Sequence, residues 1–155
     1  MPVELLENRP DAALPVHLVA KGALGALAPA ARAWAEACGF TAESGRVLLV
    51  PGQGGLAGAL LGIVEGTDSP LDAGRLAREL PAGDWYVAGD AAEPDLVALG
   101  AVLGGYAFTR YGRPAGRALR IAAPAGCDVA AVRRRAEAVG LVRNLVNTPA
   151  NDMGP

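Results

Sequence analysis

Short apolar runs rich in β-branched residues alternate with segments of helical spacing along most of this chain, and that alternation restricts the fold more than any other feature. Residues 14–22, LPVHLVAKG, have the make-up of a buried strand closed by glycine. In 29–39, Ala30, Ala33, Trp34, Ala37 and Cys38 recur at helical spacing, with Gly39 as the stop. Residues 45–66 hold two apolar runs around Pro-Gly-Gln-Gly-Gly, which predicts a β-hairpin with a longer, glycine-bearing loop. A helix is predicted over 69–83, capped by Ser69, opened by Pro70, carrying Leu71, Leu76 and Leu80, and ended by Pro81 and Gly83. Strands are predicted at 84–90 and 117–126. Between them, 94–112 reads as a helix with Leu96, Leu99, Leu103 and Tyr106 on one face. Gly100 and Gly104 lie one turn apart there. Each costs about 1 kcal/mol of helix propensity relative to alanine, so the pair marks close backbone packing. Asp128 caps a last helix over 129–146, whose inner face is predicted to be Val132, Ala136, Val139, Val142 and Val146.

This order predicts an α/β domain over 1–146, a mixed sheet flanked by helices on both sides. Residues 147–155, NTPANDMGP, are built of turn and cap residues with two prolines and read as a connector, extended and ordered only where it folds back or meets a neighbour.

Composition narrows the function. With 52% apolar and 19% charged residues in 155, the chain can bury a core and is not of the disordered class. Cys38 and Cys127 carry no metal or redox spacing and read as reduced core thiols. The N-terminus has Glu4 and Glu7 where a signal peptide is basic, and the most apolar run, Leu96 to Phe108, is too short to cross a bilayer. A cytoplasmic protein without a membrane partner is expected. From residue 101 onward eight arginines face three acids. Arg110, Arg113, Arg117 and Arg120, followed by Arg133, Arg134 and Arg135, could mark a nucleic-acid surface. Solvated faces or protein contacts explain them better, because few aromatics stand near enough to stack bases.

No stretch demands catalysis. His17 is the one histidine, and nothing at ligand spacing accompanies it. Ser44 and Ser69, the two serines, lie in turn or cap contexts. Residues 51–58, PGQGGLAG, lack the Lys-Ser/Thr of a P-loop and precede a strand-like run rather than a helix. Asp68 and Asp72, and Asp90, Glu93 and Asp95, sit at helix starts where the macrodipole favours acids.

Two segments resemble a known family. AEAVGLVRNLVNTPANDMGP (136–155) resembles the segment that joins the two domains of the leucyl aminopeptidase (M17 cytosol aminopeptidase) family, and ALGAVLGGYAFTRYG (98–112) is similar to that family's Gly-x-x-Leu-Gly-x-Tyr-x-Phe-x-x-Tyr helix. The resemblance implies a macro-domain-like α/β fold and a parent whose catalytic domain, following this chain, holds two divalent metals, zinc or manganese. It implies a parent that assembles as a homo-hexamer, largely through catalytic domains, so this chain alone is expected to be a monomer or weak dimer. No catalytic, cofactor-binding or metal residue carries over onto any position here. The expectation is an inactive N-terminal fragment that serves assembly or regulation. The other reading is a free-standing macro-like module holding an ADP-ribose-type ligand near residues 51–58.

Overall fold

The computed structural model describes residues 3–64, 70–112 and 118–152. Six strands form one sheet: β1 (Val3–Leu6), β2 (Leu14–Ala20), β3 (Val47–Gly52), β4 (Gly55–Ile63), β5 (Gly83–Ala88) and β6 (Leu119–Ala122). They lie in the order β1-β6-β5-β2-β4-β3, with only the β3–β4 pair antiparallel. Helix α1 (Pro29–Ala37) covers one face, packing Ala35 with Val19, Phe40 and Leu60. On the other face Val16, Leu61, Trp85 and Ile121 meet Leu76, Leu80, Val97 and Ala101 from the 70–80 segment and α3 (Pro94–Gly104). Helix α4 (Val129–Asn147) sets Val132 and Ala136 against Leu5, Ala98 and Val102. The mixed sheet with helices on both faces is the predicted α/β architecture.

Several elements depart from the sequence reading. Strand β1 was not anticipated: it has four residues, one of them Glu4, and only Val3 and Leu5 turn inward. The predicted 69–83 helix is a 3₁₀ segment, Pro70–Arg75, followed by the short α2 (Leu76–Glu79). Gly74 explains the irregular path, because it lies against the backbone of Gly100 and Gly104 in α3. The two α3 glycines thus mark close packing, as their spacing predicts. Helix α3 stops at Gly104, well short of residue 112, and Val97, Ala98, Ala101 and Val102 are buried more deeply than the predicted face. The hairpin closes through Gln53-Gly54 alone, since Gly52 pairs with Gly55 and Gly54 supplies the positive φ of 90°. A longer loop is not needed.

Asp128 caps α4 as predicted, its side chain accepting from the Ala131 N–H at 2.9 Å. The packed face then follows Val132, Ala136 and Gly140, each four residues on, with Val139 and Arg143 half-buried beside it. Val142 and Val146, expected inside, are exposed, lying past the buried Val132, Ala136 and Gly140 toward the end of the helix. Ser69, Asp68, Arg113, Arg117, the end of the predicted hairpin at 65–66 and the last connector residues 153–155 fall outside the described residues.

At each outer strand a side chain occupies an outward carbonyl. Trp34 Nε1 donates to Leu49 O of β3 at 3.0 Å, and Arg133 Nη2 donates to Leu5 O of β1 at 2.8 Å. The turn before β3 is held by Arg46, whose Nη1 donates to Gly39 O at 2.7 Å and to Glu43 Oε2 at 2.9 Å. This pairing depresses the Glu43 pKa from 4.5 to about 2. A depressed carboxylate stabilises the fold above its unfolded pKa and loses that contribution as pH falls through the folded value. Glu43→Gln should therefore melt below the wild type near neutral pH, and the gap should close as pH drops from 4.5 to about 2 in a series of thermal scans.

Candidate functional site

The residues from which chemistry might be built are largely committed to structure. His17 is exposed on β2, in register with Leu60 and Ala88. Ser44 Oγ donates to the Asp72 carboxylate, tying the turn before β3 to the 70–75 segment. Asp95 Oδ1 accepts from the Asp128 N–H at 2.9 Å and Oδ2 from Arg135 at 3.4 Å, so it staples the start of α3 to the start of α4. Burial, with Asp95 beside it, pushes the Cys127 thiol up to about 11. Both cysteines are free and half-buried, at the margin of the packing rather than in its core.

Several of the described arginines are engaged within the domain. Arg120 grips Asp84 with two bonds of 2.6 and 2.7 Å, Arg133 reaches Leu5 O and Glu7, and Arg135 reaches Asp95. Among the described residues no group of three or more His, Cys, Asp or Glu could hold a metal ion, and no helix is long and apolar enough to cross a membrane. Residues 51–58 are the tip of an antiparallel hairpin and its first paired residues, with no helix N-terminus to face a phosphate.

The densest polar constellation lies elsewhere, at the end of α4. Tyr106 Oη donates to Asn144 Oδ1 at 2.8 Å and accepts from Asn147 Nδ2 at 3.2 Å. Arg143 Nη1 donates to Leu103 O at 3.2 Å, with its guanidinium 5.3 Å from the Tyr106 ring centre. Thr148, only 8% exposed, donates to Asn144 O at 2.7 Å. Arg110 then spans Thr148 Oγ1 at 3.4 Å and Asp152 O at 3.2 Å, while Tyr111 Oη donates to the Asp152 carboxylate. The Ala150–Asp152 turn therefore folds back onto the loop after α3. These bonds link the loop after α3 to the end of α4 and hold the two segments in a fixed relation.

The seam joins the two sequence motifs to each other. Tyr106, Arg110 and Tyr111 come from 98–112; Asn144, Asn147, Thr148 and Asp152 come from 136–155. The family described as M17 aminopeptidase, N-terminal domain, matches residues 14–124. The chain belongs to that family. The M17 N-terminal domain is also similar in fold to the crystal structure of cytosol aminopeptidase from Coxiella burnetii, at a TM-score of 0.77 and 26% identity. That likeness covers 97% of this chain and 35% of the Coxiella chain, so this M17 domain spans about a third of its relative's length. No curated protein matches it.

Sequence reasoning placed both motifs but not their contact. The signal available was the cluster of hydrogen-bonding residues in each, Tyr106 to Tyr111 and Asn144 to Asp152.

Proposed function

We propose that this chain is the non-catalytic N-terminal domain of a cytoplasmic, leucyl aminopeptidase-like metallopeptidase, whose other domain removes N-terminal residues from peptides. The observation that carries the reading is the family match, supported by the seam that brings both family-like motifs together. In this reading residues 1–146 are the domain, 147–155 begin the connector, and the parent is a homo-hexamer that the domain helps to assemble or regulate.

Two divalent ions, zinc or manganese, belong to the parent's catalytic domain in this proposal. The described residues of this chain do not fit such a pair: no cluster of ligands exists among them, and Asp95 is taken up by Asp128 and Arg135. No catalytic step is therefore assigned to it. The ADP-ribose reading is not retained, because the segment assigned to the phosphates is a hairpin tip.

Purified 1–155 incubated with Mn²⁺ or Zn²⁺ and a leucyl anilide should release no product above a metal-only control, and should sediment as a monomer or weak dimer. The longer gene product should cleave the same anilide in a metal-dependent way. Turnover by 1–155 itself, or a longer protein that fails to cleave, overturns the proposal.

A further inference from the structure

The last two turns of α4 carry more large aliphatic side chains than their own domain covers. Within them Val139 is half-buried and Gly140 buried, and Arg143 reaches Leu103 O of α3. Leu141, Val142, Leu145 and Val146 form an outer surface, exposed to 60%, 58%, 51% and 78%, in which Leu141 and Leu145 point away from Val139 while Val142 and Val146 stand beside it at i+3 and i+7. Four large aliphatics on adjoining turns form the kind of patch that marks an interaction site rather than a scatter of single exposed residues. The patch also continues inward: Leu141 borders a groove of about 620 Å³ between β1 and α4, floored by Val3, Leu5 and Val102.

We infer that this outer face of α4 is the seat on which the following domain of the same polypeptide rests. The inference rests on the reading above that such a domain exists. Three observations select that occupant. The matched family is an N-terminal domain, and the Coxiella relative has about two-thirds of its chain outside the match. The aliphatic face is confined to the end of α4, beside the point where polypeptide leaves the domain. The seam then fixes the direction of departure, because Thr148 and Asp152 are bound to Arg110 and Tyr111. A domain tethered there meets the face at the high effective concentration of an intramolecular partner, which a second copy lacks. The arginines of α4 have a different part: Arg133 and Arg143 are spent on carbonyls of their own domain, leaving the aliphatic residues to make the contact.

The test uses the full-length gene product carrying Val142→Lys and Leu145→Lys together. Limited proteolysis of the connector should quicken by about tenfold, as cleavage follows the population of the undocked form. Arg134→Ser, also on α4, should leave the rate unchanged. The 155-residue chain with the same two lysines should keep its melting temperature and its sedimentation coefficient. A two-domain protein whose cleavage ignores the substitutions overturns the seat alone. A 155-residue chain that dimerises, and that the two lysines render monomeric, overturns it in favour of a second copy. A full-length product with no following domain removes the functional reading and the seat together.

Discussion

Gly104→Ala should melt roughly 6–12 °C below the wild type, a loss of about 3 kcal/mol at this chain length. A methyl group on Gly104 would run into the backbone oxygen and Cα of Gly74, and neither can rotate away as a side chain could. The 70–75 segment would have to part from α3, and Leu76, fully buried immediately after it, would move as well. Overpacking of this kind usually costs 1–3 kcal/mol, and a backbone obstacle puts the change at the upper end. Gly25→Ala is the matched control, since a methyl there meets nothing within 4 Å. Its effect should stay within about 0.5 kcal/mol. Equal melting of Gly104→Ala and wild type in calorimetry would show that the two segments are not in backbone contact.

Trp85→Ala should cost about 3–5 kcal/mol, the range for truncating a large buried aromatic. Trp85 is 1% exposed on β5, inside the main core cluster, and its Nε1 donates to Pro81 O at 3.2 Å. Truncation removes the packing and leaves that carbonyl without this donor. Trp85→Phe restores most of the volume but not the hydrogen bond, and should lose about 1–3 kcal/mol. Urea unfolding followed by far-UV circular dichroism measures both, because the variants retain only Trp34 as a tryptophan reporter. A Phe variant as unstable as the Ala variant would assign the whole effect to the Pro81 bond and contradict the packing argument.

The parts of the fold that could be read from sequence are those whose signal is local. β2, β4 and β5 announce themselves by apolar runs, α1 by its spacing, and α4 by the Asp128 cap. What escaped depends on contacts between distant residues. The 69–83 stretch has the leucines of a helix, yet Gly74 against Gly104 imposes a tighter path. Four residues, one of them Glu4, are too few to show the period of a strand, and β1 exists because β6 offers it a register from Val3 with Leu119 to Leu6 with Ala122. On α4 the valines at 142 and 146 keep the i+3 and i+7 spacing from Val139, and sequence alone does not say how far along the helix its own domain covers that side. The seam was half legible: its two motifs stood out, but the bonds between them span 38 to 42 residues of sequence.

The occupied carbonyls on the two outermost strands govern how molecules of this protein can come together. An exposed strand edge recruits strands from other chains, and such addition, once begun, propagates as cross-β growth. A newcomer approaching β3 finds Trp34 already on Leu49 O and, at Pro51, a residue with no N–H to offer. At β1 it finds four residues and the charged fork of Arg133. With both flanks of the sheet guarded in this way, the domain can display four bare aliphatics on α4 without inviting runaway polymerisation, because helix faces close on a partner and strand edges do not.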